Sequence, residues 1–459
     1  MKQTIATIVC SLCCCIAAAQ TYSYEALRDS ALQRNISVRN ARLGIQQAEE
    51  QRREAFTHFF PQVNATGVWM NADKGMMNME VSPSDLIPAR LQPVLAEVLP
   101  AEALAALGSP FGMSMMKGVT MAGINAVQPI FAGGQIVNGN KLARLGEDAS
   151  RLQLQMSEND VEKQMAQYYW QLVSLKEKQR TLDLARQTLD TIYRDVTLAV
   201  EAGLILRNDL LQVQLRQNEL QSRQLQLDNG TEVLKMVVAQ FCGLQGDSCG
   251  AFDVEEPDWE HVSPALPAPP GEGEGISRLP EYQLLEMQVK AADLQRRMEV
   301  GKNLPILAVG AGYHYYHMPP SELAGIRFVD NDRSFGMLFA TLSIPISNWW
   351  GGSHAIRRKR LATQQAREQL EDNAQLLDIR RQRAWRDVQE AYAQLALAER
   401  STEQAQENLR VQRDCYNAGT IIISDLLQAQ LLHQQTLDNR TDARAALQQK
   451  LTEYRIVGY

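Results

Sequence analysis

Apolar positions in two long stretches of the chain recur at alternating spacings of three and four. Leu182, Ala185, Leu189, Ile192, Val196 and Ala199 form one such line; Val388, Ala391, Leu395, Ala398, Thr402, Ala405, Leu409 and Tyr416 form the other. This is a coiled-coil seam, and small residues at alternate positions let neighbouring helices approach closely. The surrounding runs predict helices over 134–201 and 352–418, each ~100 Å long at 1.5 Å per residue. Four shorter stretches, about 63–71, 119–131, 305–317 and 335–347, alternate with period two instead, the mark of a strand. In the third, Leu307, Val309, Ala311, Tyr313 and Tyr315 alternate with Ala308, Gly310, Gly312, His314 and Tyr316. The fourth sets Leu338, Ala340, Leu342, Ile344 and Ile346 against Phe339, Thr341, Ser343 and Pro345.

These elements occur as a tandem duplication. Gly203-Leu204-Ile-Leu-Arg-Asn-Asp209-Leu-Leu reappears as Gly419-Thr420-Ile-Ile-Ile-Ser-Asp425-Leu-Leu, Pro61 matches Pro305, and Gly133-Gly134 matches Gly351-Gly352. Each Gly–Asp stretch predicts a helical hairpin tip. The Gly suits a left-handed C-cap, Asn208 and Ser424 suit the next N-cap, and Asp209 and Asp425 suit the first turn. Repeat 1 spans 20–242, with a helix over about 24–58 before its strands and another from 209 to 241 after its tip. A Pro-rich, acidic linker spans 243–275, and repeat 2 spans 276–459. Residues 1–19 read as a signal peptide, with Lys2, an apolar run and Ala17-Ala-Ala19 before Gln20.

Strands of this kind, apolar on one face and small or polar on the other, suit a transmembrane β-barrel. Four cannot close one, because the smallest membrane barrels have about 8, and open edges are not tolerated in lipid. Three copies would supply twelve strands. The expected fold is therefore mostly α with β: a homotrimeric 12-stranded outer-membrane barrel continued by a periplasmic α-helical barrel. Composition narrows the rest. A net charge of −7 over 459 residues leaves no basic face for nucleic acid. No catalytic triad, metal-ligand spacing or phosphate loop is present, which predicts no enzyme, no cofactor and no metal.

The tip Tyr416-Asn-Ala-Gly419 through Asp425-Leu-Leu, the Pro129-Ile-Phe-Ala-Gly-Gly134 and Pro345-Ile-Ser-Asn-Trp-Trp-Gly-Gly352 junctions, and the twofold repeat resemble the TolC family of outer-membrane efflux proteins. The resemblance covers residues 22–456. It implies a passive exit duct of a tripartite efflux or type I secretion system. The implied partners are outer-membrane lipid, a periplasmic adaptor and an inner-membrane transporter of RND or ABC type. Residue by residue, it implies a gate at Tyr416, Ile421, Asp425, Gln428 and Asp209. It further implies adaptor contact at Gly203, Leu204, Gly419 and Thr420, and strand–helix junctions at Gly133, Gly134, Gly351 and Gly352. The family's best-known member has Arg where Ile421 stands and Asp where Gln428 stands, so packing by Tyr416 and the Ile421–Ile423 cluster is expected to replace an ion-paired latch.

Other features receive plainer readings. His314 and His317, three apart on a strand, face opposite ways and with Tyr313, Tyr315 and Tyr316 suit an interfacial girdle. Met76, Met77, Met79, Met113, Met115 and Met116 of the Lys74–Lys117 insertion read as apolar packing in an extracellular cap. Tyr169, Trp170 and Trp385 read as helix packing. Cys242 and Cys249, close together in an oxidising compartment, suggest a disulfide. The competing class is a structural periplasmic coiled coil without a pore, and the lipid-like strand faces argue against it.

Overall fold

The computed structural model describes residues 20–458, apart from 74–76, 116–117, 245–251, 319–321, 324–325, 328–330 and scattered positions within 83–110 and 256–274. The signal stretch, Met76, Met116 and Cys249 lie outside the described residues. The chain divides into two compact units. One comprises residues up to Glu50, Arg144–Ala291 and Thr363–Tyr459; the other comprises Gln51–Ala143 and Ala292–Ala362.

The second unit is built on strands β2 (Gln62–Asn71), β5 (Gly118–Ala132), β7 (Ile306–Met318) and β10 (Asn331–Ser343). They form one sheet in the order β10-β7-β5-β2, antiparallel throughout, with β10 and β2 as its edges. Between β2 and β5, β3 (Met77–Val81) pairs with β4 (Phe111–Met115); between β7 and β10, β8 (Glu322–Leu323) pairs with β9 (Ile326–Arg327).

Register sorts the two faces. One carries the cross-strand rows Val63, Ala126, Ala311, Leu338 and Ala65, Ile124, Tyr313, Gly336; the other carries Asn64, Asn125, Gly312, Met337 and Thr66, Gly123, His314, Phe335. On the second face large residues lie over glycines. A Cβ on Gly310 would sit 2.3 Å from the Phe339 ring, and one on Gly123 would sit 2.4 Å from His314 Nδ1. His314 stacks on Phe335, while on the other face His317 Nδ1 lies 2.5 Å from Asp332 Oδ1, which also accepts from the Tyr315 hydroxyl. The ladder slips once, between Pro129 and Phe131, where proline has no N–H to contribute.

Helices enter and leave this sheet: α2 (Ile36–Thr57) before β2, α3 (Gln135–Glu201) after β5, α5 (Pro280–Gly301) before β7 and α6 (Asn348–Asn417) after β10. Gly133 and Gly134, at φ 60° and 75°, turn the chain from β5 into α3. The second glycine pair differs from expectation. α6 has already begun at Asn348, so Gly351 and Gly352 lie inside its first turns. Pro345 ends the ladder early, and Gly352 is needed instead for close approach, because a Cβ there would lie 2.1 Å from Asn303 Oδ1.

The first unit contains α1 (Tyr24–Arg34), α4 (Arg207–Phe241), α7 (Ile423–Gly458) and the longer parts of α3 and α6. The single helix expected over 24–58 is broken at Asn35. This buried side chain accepts from Ser37 N–H and donates to the Phe241 carbonyl, an alternative to helical bonding that the sequence did not reveal. One core joins Leu27, Val38, Met165, Leu172 and Val238 to the parallel pair β1 (Gln20–Tyr22) and β6 (Phe252–Val254). Tyr169 and Trp170 are buried in it. The linker is strapped down further on: Trp385 Nε1 donates to the Pro267 carbonyl at 3.3 Å and the Tyr454 hydroxyl to that of Ala268 at 2.7 Å.

Cys242 is a free thiol in the same core, its Sγ 3.6 Å from the Leu27 carbonyl and 3.7 Å from Met165 Sδ. Burial pushes it up to about 12.

Candidate functional site: the paired helical tips

Both tips are Schellman turns of the same construction. At the first, Gly203 N–H bonds to Val200 O and Leu204 N–H to Ala199 O; at the second, Gly419 N–H bonds to Tyr416 O and Thr420 N–H to Cys415 O. Each Gly has φ 72°, in the left-handed region where a side chain is strained. The following helices start earlier than expected. Leu206, with extended backbone, caps α4 without a side-chain bond, and α7 already begins at Ile423, so Asn208 and Ser424 are helical residues. Asp209 and Asp425 keep their places in the first turns, where the helix dipole favours a negative charge.

Packing then separates the two copies. Along α4, Asp209 shares a helical face with Val213, Arg216 and Leu220, all three buried, and is itself half-buried. Along α7 the buried face is Ile423, Leu426, Leu427, Gln430 and Gln434, and Asp425 and Gln428 lie exposed on the opposite side. The two repeats therefore turn their acidic residues in different directions. Asp209 faces the seam between the hairpins, where it and Asp195 join burial in pushing the Tyr416 phenol up. Tyr416 packs against the tip core of Leu189, Ile192, Val196, Ile423 and Leu426. Of the isoleucine cluster, Ile423 is buried, Ile421 is half-buried and Ile422 is exposed. Gly203, Leu204, Gly419 and Thr420 stand exposed at the turns.

Polar contacts missed in the sequence fix the hairpins to each other. Buried Arg216 donates to Glu219 at 2.6 Å and reaches Gln434 Oε1 on α7 at 3.5 Å. A second set runs between α3 and α7: Gln430 to the Ala185 carbonyl, Thr181 to Asp438, and Ser174 and Lys178 to Asp442. Burial raises the Asp438 carboxyl above its ordinary value. The only sequence signal for this ladder was the four-residue spacing of Asp438 and Asp442, and their partners are far away in the chain. Beside it, a groove of about 550 Å³ is lined by Leu184, Thr188, Glu407, Arg410, His433 and Leu437. A contiguous one includes Asp195, Arg413 and Tyr416.

A family model described as outer membrane efflux protein matches residues 27–232 and 276–455. The chain belongs to that family. Members of the outer membrane efflux protein family are passive channels, and this chain is an efflux channel component, not an enzyme. Among solved structures, one of CusC, concerned with folding and transmembrane channel formation, has a TM-score of 0.74 at 16% identity, covering 95% of this chain and 92% of that one. VceC from Vibrio cholerae gives 0.71 at 15%, with 95% and 96% covered. The open state of MtrE from Neisseria gonorrhoeae gives 0.71 at 16%, with 95% and 88% covered. At these identities the likeness establishes the fold. A search of curated protein sequences found no match. Among the described residues no helix is long and apolar enough to cross a membrane, which bears only on helices.

Proposed function

We propose that three copies of this chain assemble into an outer-membrane duct with a large periplasmic helical part, gated at the helical tips. The observation that carries the reading is the sheet: one face apolar through its middle rows, four strands, and two edges left open. The edges run in opposite senses, so β2 of one copy can continue the antiparallel ladder from β10 of the next, and twelve strands close without an exposed edge. The duct is passive. Energy enters through an inner-membrane transporter of RND or ABC type, coupled by a periplasmic adaptor that grips the tips around Gly203, Leu204, Gly419 and Thr420. Exposed Leu204, Leu206 and Ile422 offer that partner apolar surface. Asp425 and Gln428, opposite the hairpin core, face the conduit, and Tyr416 with Ile421 packs the closed tip.

The test is cross-linking within the outer-membrane fraction. Cysteines placed at Ala65 on β2 and at Leu338 on β10 face the same side of the sheet. Oxidation should yield covalent trimers that carry current in planar bilayers. Monomers only, recovered in the soluble periplasmic fraction, would exclude the reading.

A further inference from the structure

Where β10 passes into α6, the apolar face ends in Ile346 and in Trp350, which is 85% exposed. Two to three helical turns later come Arg357, Arg358 and Arg360, all exposed. α5 runs alongside at this level, since Lys359 Nζ donates to Gln295 Oε1 at 2.9 Å. The carboxylates of α5 here are engaged by nearby cations of the same stretch: Asp293 by Arg296 and Arg297, Glu299 by Lys302 just past the helix end. Among the described residues, none of the three α6 arginines makes an ion pair. Three uncompensated cations within about one helical turn are unfavourable unless a counter-charge is supplied from outside.

We propose that Trp350, Arg357, Arg358 and Arg360 form a site for anionic phospholipid headgroups of the leaflet on the helix side of the barrel. The proposal rests on the membrane-spanning reading of the sheet. Three features favour lipid phosphate. The arginines lie ~10–15 Å along the helix from Trp350, within side-chain reach of a headgroup layer several Å thick. Side chains on a helix tilt toward its N-terminus, and the N-terminus of α6 is at the sheet, so the guanidinium groups lean toward the bilayer. Arg358 and Arg360 stand ~160° apart around the axis, so a cation reaches the outer surface however α6 is turned in the wall. An aromatic residue at the interface with arginines just beyond it is a recognised arrangement for anionic lipid.

The experiment uses the full-length trimer, with heat-modifiable gel migration confirming assembly of every variant. Native mass spectrometry of trimers exchanged into mixed micelles would compare phosphatidylglycerol and cardiolipin with phosphatidylethanolamine. The wild type should retain the anionic lipids preferentially. Changing Arg357, Arg358 and Arg360 together to Gln should lower that preference roughly tenfold or more, while the triple change to Lys should keep most of it. Arg400→Gln, ~60 Å further along α6, should leave it unchanged. A triple Gln variant that keeps the wild-type preference overturns the proposal. So does one that alters only the ion selectivity of inserted channels, which would put the arginines in the lumen. A wild-type trimer that gives no conductance in bilayers would instead overturn the membrane reading beneath it.

Discussion

The backbones of Gly133 and Gly301 meet face to face: a Cβ on Gly133 would lie 2.1 Å from the Gly301 carbonyl oxygen, and one on Gly301 would lie 2.3 Å from that of Gly133. The exit of β5 and the end of α5 are thus packed at backbone distance, and neither position tolerates a side chain. Gly301→Ala should be strongly destabilising by contact alone. Gly134→Ala should cost only the left-handed backbone, about 1–2 kcal/mol, because its nearest neighbour is an Asn138 amide at 3.5 Å. Gly351→Ala, in a helix with open space around it, should stabilise by about 0.5–1 kcal/mol. Thermal dissociation of the assembled protein ranks the three. Equal effects at Gly301 and Gly351 would contradict the packing.

The tip acids should behave differently despite their matching motifs. Asp425→Asn should reduce cation selectivity in planar-bilayer recordings, since it removes an exposed charge opposite the hairpin core. Asp209→Asn should leave selectivity alone and lower the Tyr416 phenol pKa, which Asp209 helps to raise. Selectivity that responds to Asp209 and not to Asp425 would reverse the assignment.

The α3–α7 ladder carries a pH dependence with a definite sign. The folded carboxyl of Asp438 is raised, so its contribution is fully present below the ordinary Asp value near 3.8 and is lost as pH climbs through the raised one. Asp438→Asn should therefore match the wild type in acid and become the more stable of the two toward neutrality. Denaturant midpoints at pH 4 and pH 7 would show this, and an Asn variant less stable at pH 7 would contradict it.

In the native protein Cys415, half-exposed, should react with maleimide while Cys242 stays protected by burial and its high pKa. Unfolding without reductant then separates two cases. The free thiol seen here predicts that Cys242 labels alongside Cys415. The Cys242–Cys249 bridge suggested by the sequence predicts that Cys242 stays unlabelled until reductant is added.

The seams, the strands and the tip glycines were legible because each is a local pattern: spacing of three and four, alternation of two, or a Gly where a helix must stop. Burial at the tips was not. Asp209 and Asp425 occupy the same place in the same motif, yet α4 and α7 turn different faces to the core, and that choice depends on neighbours distant in sequence. Asn35 was hidden for a similar reason: its partner is the carbonyl of Phe241. Gly351 and Gly352 fall inside the first turns of α6 rather than before it, because sequence likeness to Gly133-Gly134 carried no information on where Pro345 ends the ladder.

The strap at Pro267 and Ala268 holds α6 at Trp385 and α7 at Tyr454, near one end of the hairpin they form. From Trp385 to Tyr416 α6 runs on for ~45 Å. Such a pair is a lever with its fulcrum at the strap: because the tip core and the α3–α7 contacts tie it to the first hairpin, a swing of ~5° there would carry both tips together by ~4 Å at this length. In the proposed duct, an aperture at the tips would then change appreciably by motion too slight to disturb the packing at the strap.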